Sequence, residues 1–151
     1  MPPNQIVGVV LMLILPILAA FGAFGESFGE VEASGSDVRL SASYPSRLRL
    51  ELNSNLQVTV QNTGQQTLDT LAVHFERGYL DQFANLSFAP SVTEATSSAY
   101  IVELHDLAPG ATQTVTVQLT GEQYGSHKGR IWASVDDRTA AELNVSSVVF
   151  P

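Results

Sequence analysis

An all-β domain of two antiparallel sheets, preceded by a single N-terminal transmembrane helix, is the fold class this sequence predicts. Three observations predict it. Apolar residues recur at every second position through most of residues 38–150, the period of a half-buried strand. Turn-forming Asn, Asp, Gly and Pro interrupt those runs at short intervals. Ahead of them stands an uncharged 19-residue stretch, Ile6 to Phe24. The 151 residues suffice for one domain and an anchor, not for two cores. The predicted organisation is a short tail over residues 1–5, a transmembrane helix over 6–25, a flexible stalk over 26–37 and a sandwich over 38–151.

In the first stretch, twelve residues are Leu, Ile, Val or Phe, and 19 residues of helix reach about 28 Å, the thickness of a bilayer's hydrocarbon core. Ile6, Leu11, Leu13, Pro16 and Phe24 mark the predicted span, with Pro16 kinking it as membrane helices tolerate. A cleaved signal peptide is the competing reading, with small residues at Ala20 to Gly25 for a peptidase. The anchor is preferred because MPPNQ lacks Lys and Arg and because the stretch is long enough to span. The following segment carries Glu26, Glu30, Glu32 and Asp37 without a cation. Cytoplasmic flanks show the opposite bias, so the large domain is expected on the extracytoplasmic side, periplasmic or extracellular.

Residues 26–37 are rich in Gly, Ser, Ala and Glu, the composition of a short stalk. Alternation then begins at Val38–Ala42 and returns at Leu48, Leu50 and Leu52. Leu56–Gln61 alternates cleanly and ends at the turn signal Asn62-Thr63-Gly64. Leu71–Phe75 and Leu86–Phe88 follow, and Tyr100–Leu107 runs into a Pro109-Gly110 turn. Val115–Leu119, Gly129–Val135 and Leu143–Phe150 complete eight or nine strands. Trp132, between Ile131 and Ala133, is expected to pack into the core. No amphipathic helix competes, so the pattern is that of an antiparallel two-sheet sandwich.

The run LxLxLNSNLQVTVQNTGQQTL (48–68), with LAPGATQTVTVQLTG (107–121) and GRIWASV (129–135), resembles the bacterial and archaeal extracellular immunoglobulin-like modules, CARDB and DUF11-type repeats being nearest. The resemblance implies an immunoglobulin-like sandwich, a cell-surface location and a role in adhesion, scaffolding or complex assembly. It brings no catalytic residues, and here a single copy stands on its own anchor.

Acidic residues outnumber basic ones 15 to 7, for a formal charge of −8, which argues against nucleic-acid binding. Cysteine is absent, excluding disulfides, thiolate catalysis, Cys-ligated zinc and lipoprotein attachment. His74 points away from Leu71, Val73 and Phe75, His105 ends a strand, and His127 lies in a Gly-flanked loop. None has metal-ligand spacing. Asp136-Asp137 reads as turn chemistry, and no GxSxG elbow, phosphate loop or calcium loop is present. No cofactor and no enzymatic activity are expected.

Phe75–Pro90 breaks the alternation and places Tyr79, Leu80, Phe83 and Phe88 close together. Either these side chains close the end of the sandwich, or part of the stretch is an exposed apolar patch where a partner docks. Val148–Pro151 is either a final strand or a tail that pairs with another chain. The expected function is that of a non-catalytic accessory or assembly subunit of a membrane or envelope complex, with membrane lipid and envelope proteins as partners. A surface adhesin-like module binding polysaccharide or cell wall is the second reading, and a metal carrier or enzyme using the histidines the third.

Overall fold

The computed structural model describes residues 25–151. They form β1 (Ser27–Ser34), β2 (Val38–Arg49), β3 (Asn53–Asn62), β4 (Leu68–Glu76), a single helical turn α1 (Arg77–Leu80), β5 (Phe83–Ala89), β6 (Glu94–Ala95), β7 (Ala99–Leu107), β8 (Thr112–Gly121), β9 (Gly125–Val135) and β10 (Arg138–Phe150). The transmembrane helix expected over 6–25, with Ile6, Leu11, Leu13, Pro16 and Phe24, lies outside the described residues except for Gly25. Among the described residues no helix is long and apolar enough to cross a membrane.

The hydrogen-bonded path runs β5-β8-β3-β2-β10-β9-β4-β7-β6, with β1 added on β2. Every pairing is antiparallel except one. Arg47–Arg49 at the end of β2 run parallel to Val148–Phe150 at the end of β10. Val38–Ser43, earlier in the same strand, pair antiparallel with β3. β2 therefore passes from one layer to the other and joins them. Inward residues of both halves, such as Leu40, Val58 and Val117 from one and Val73, Ile131 and Leu143 from the other, share a single core cluster. The path is thus folded over into a sandwich, as the alternating sequence requires.

Two of the tight connections have a visible chemical cause. Val135 and Arg138 face each other across a two-residue hairpin whose centre, Asp136 and Asp137, has φ of 50° and 61°. That is a mirror-image turn, which suits the twist of the strands and tolerates short polar side chains such as Asp. Between β7 and β8, the Ala111 N–H donates to the Ala108 carbonyl at 3.0 Å. Pro109 precedes Gly110, which has φ +76°, the arrangement of a type II turn.

Asn62 fastens this second turn to the other layer. Its Nδ2 donates to the carbonyls of Gln66 (2.7 Å) and Leu107 (2.8 Å), and its Oδ1 accepts the Gly64 N–H at 2.9 Å. Its own backbone N–H donates to Ala111, while its carbonyl accepts from Gly110. The buried amide is thereby satisfied. The NTG turn and the LxPG corner, read from the sequence as separate fold signatures, form one hydrogen-bonded unit.

Three expectations change. Residues 26–37 are not a flexible stalk: Ser27–Ser34 is a full strand paired along β2 from Arg47 to Arg39, and alternating exposure along β1 explains why its polar composition resembled a linker. The LxLxL alternation does not continue as strand. Leu48 is buried, but β2 ends at Arg49, Glu51 adopts φ +60° in a tight turn, and Leu50 and Leu52 are exposed. Trp132 is not in the core. Ile131 and Ala133 point inward, so period two places Trp132 on the outer face.

Candidate functional site

Of the two readings of the aromatic stretch, closing the end of the sandwich or docking a partner, its side chains fit the first, being largely interior. Tyr79, Leu80 and Phe83 are buried. The Tyr79 phenol lies 2.7 Å from the Ser147 hydroxyl, and its ring meets Phe83 edge-on at 5.2 Å. Phe88 is half-buried between Phe75 (5.7 Å) and Tyr100 (5.5 Å). Side chains so placed cannot form an exposed patch, and Phe75–Pro90 is the inter-sheet connection that closes one end of the core. The final residues pair with β2 and β9 of the same chain, so Val148–Phe150 is a strand within the domain.

What the fold does present is the outer face of the β10-β9-β4-β7-β6 layer. Successive pairings align Glu142 with Trp132, Trp132 with His74, His74 with Ile101 and Ile101 with Glu94. This is one row across five strands, with an apolar and aromatic middle and a carboxylate at each end. At its centre the indole and imidazole stack, centroids 4.9 Å apart and planes inclined by 5°. His74 Nε2 lies 2.8 Å from Ser134 Oγ. The Arg130 guanidinium stands 5.6 Å from the indole centroid, within range of an attractive cation–π contact. Arg130 also sits between Glu76 and Glu142 at 3.8 and 3.9 Å, and its backbone N–H donates to Glu76 Oε2 at 2.8 Å.

Burial against the indole holds the His74 pKa below its ordinary value; the negative charges of Asp137 and Glu94 oppose this only partly. The ring is therefore a neutral, partly desolvated surface at physiological pH. Its hydroxyl neighbour is Ser134.

The three histidines do not converge. His74 is in mid-β4, His105 near the end of β7 beside Thr70, and His127 near the start of β9 bonded to the Gln123 carbonyl. Among the described residues no group of three His, Asp or Glu side chains is placed to hold a metal ion. The Trp132–His74 pairing escaped sequence reading because the outward placement applied to His74 was not applied to Trp132. The same alternation around Ile131 and Ala133 carried that signal.

No protein-family model and no curated protein matches the sequence. Among solved structures, the CARDB domain of a Pyrococcus furiosus protein superposes with a TM-score of 0.51 at 12% identity, over 75% of this chain and 94% of that one. The domain has the CARDB-type immunoglobulin-like fold. A crystal structure of that CARDB domain in complex with di-metal ions gives a TM-score of 0.44 at 12% identity, over 82% and 93% of the two chains. A conjugative transposon lipoprotein from Bacteroides eggerthii gives 0.46 at 9%, over 76% and 93%. At these identities the likeness is one of fold, and a CARDB-type sandwich by itself assigns no chemistry.

Proposed function

We propose that this chain is a non-catalytic accessory or assembly subunit of a membrane or envelope complex. Its CARDB-type sandwich is held at the extracytoplasmic surface by the apolar segment Ile6–Phe24 and engages protein partners through the outer face around Trp132. The stacked Trp132–His74 pair, with Arg130 beside it, is the observation that carries the reading. Trp and Arg are the residue types that dominate binding energy at protein interfaces, and they do so when ringed by polar groups such as Glu76, Glu94 and Glu142. Tethering adds to this by raising the local concentration of the face near membrane partners.

A polysaccharide is the weaker partner for this face. Sugar rings stack on an open aromatic plane, whereas the indole here is already stacked on His74 and approached by Arg130. The test is to purify the tagged full chain from gently solubilised membranes, as wild type and as Trp132→Ala, with folding of each checked by circular dichroism. A stoichiometric partner that is retained by the wild type and lost from the variant is expected. A lone monomer from both preparations would overturn the proposal.

A further inference from the structure

The large apolar side chains exposed among the described residues are Phe28 (53%), Leu50 (36%), Leu52 (40%), Tyr124 (77%) and Val148 (42%). They come from four separate parts of the chain, yet the topology gathers them at one end. Phe28 is near the start of β1, where Ser27 pairs with Arg47 close to the end of β2. Val148 pairs with the same Arg47. Leu50 and Leu52 form the turn between β2 and β3, and Tyr124 belongs to the turn between β8 and β9, whose first residue Gly125 faces Val149.

Leu50 and Leu52 are held there firmly. The Leu50 N–H donates to the Phe150 carbonyl (2.8 Å), the Glu51 N–H to Gly121 (2.8 Å), and the Gly121 N–H to Leu52 (3.1 Å). Backbone bonds to two neighbouring strands fix two leucines outward, so their exposure is part of the fold.

This is also the end at which the apolar segment joins the domain. Only Gly25 and Glu26 separate Phe24 from β1, and the Glu26 carboxylate already accepts a hydrogen bond from the Ser54 hydroxyl. Three Cα–Cα steps span roughly 10 Å at most, little more than the headgroup layer on one side of a bilayer. The charges are distributed to match. Asp37, Asp69, Asp106, Asp136 and Asp137 occupy the opposite end, where Arg39 and Arg138 are the basic residues beside them. At the apolar end, Arg47, Arg49 and Lys128 balance Glu26, Glu51 and Glu122.

We infer that the sandwich seats this end directly on the lipid surface, with Phe28, Leu50, Leu52, Tyr124 and Val148 in the boundary between headgroups and acyl chains. Tyrosine favours that boundary, and long basic side chains reach from it to phosphates. The inference rests on the membrane-anchor reading proposed above and adds a fixed orientation. The acidic end points away from the membrane, and the Trp132 face stands roughly upright beside it for a neighbouring subunit.

The native chain has no cysteine, so a single introduced thiol labels uniquely. The full chain is reconstituted in phosphatidylcholine vesicles as Leu52→Cys, Tyr124→Cys and, at the far end, Gln65→Cys, each carrying an environment-sensitive fluorophore. Nitroxide-bearing lipids should quench the labels at 52 and 124 several-fold more than the label at 65. If the chain survives carbonate extraction but all three labels respond alike, the seating is wrong and the anchor reading stands. If carbonate releases the chain, the anchor reading fails and the seating with it. Shielding at 52 and 124 that grows with protein concentration, without lipid quenching, would assign the end to a second copy and overturn the inference.

Discussion

The phenol oxygen of Tyr79 lies 2.7 Å from the hydroxyl of Ser147, 68 positions away along the chain, and both side chains are buried. This bond ties α1, at the start of the aromatic connection between the layers, to β10. Burial pushes the Tyr79 pKa up to about 12, because the phenolate would lose its hydration. Tyr79→Phe leaves the Ser147 hydroxyl buried without this partner and is expected to lower stability by about 1–3 kcal/mol. The double variant with Ser147→Ala is expected to recover part of that loss, measured by urea denaturation. Since the folded pKa is raised, this contribution is complete below the ordinary value of 10 and declines as pH rises toward 12.

Gly129 is required by the same tyrosine. A Cβ at position 129 would stand 2.2 Å from the Tyr79 Cβ and 2.7 Å from its Cγ. These atoms are close to the backbone and cannot swing aside. Gly129→Ala is expected to cost about 3 kcal/mol through overpacking, visible as a lowered unfolding midpoint in thermal denaturation.

Asn62 tests whether the two loop signatures act together. Asn62→Ala removes donors to the carbonyls of Gln66 and Leu107 and the acceptor for Gly64. A loss of about 2–4 kcal/mol is expected for three hydrogen bonds lost together. Amide hydrogen exchange should quicken at both 63–67 and 108–111. Acceleration in only one loop would show that the two are independent.

His74 offers a pH readout, because Trp132 is the only tryptophan and stacks on it. A protonated imidazole against an indole quenches its fluorescence. The emission should therefore titrate with a midpoint below the ordinary histidine value of 6.5, and His74→Gln should abolish the transition. The linked stability change has a definite sign. The unfolded chain takes up its proton first as pH falls through 6.5, so stability declines from there down to the lowered folded pKa and then levels off.

Removing Trp132 separates binding from folding. The side chain lies on the outer face and is only half-buried, so Trp132→Ala should cost roughly 1 kcal/mol, the loss of a cross-strand aromatic pair. If it instead unfolded the domain, as a core truncation costing about 3–5 kcal/mol would, the outer-face assignment would be wrong.

By itself the sequence determined the all-β sandwich, the main strands and the chemistry at several turns. Those follow from local rules: period two for Leu56–Gln61 and Val115–Leu119, φ tolerance for Asp136-Asp137, Pro followed by Gly at 109–110. It also placed His74 outside correctly. It misjudged Ser27–Ser34 because an edge strand with one exposed face needs little apolar content once a partner such as β2 supplies the hydrogen bonds. It misjudged Leu50 and Leu52 because only bonds to Phe150 and Gly121, from distant strands, break their alternation. Tertiary structure alone decided that Tyr79, Leu80 and Phe83 face the core, that Trp132 meets His74, and that five scattered apolar side chains share one end. Each of these depends on which strands become neighbours, and strand neighbourhood is a property of the folded sandwich that no short window of residues carries.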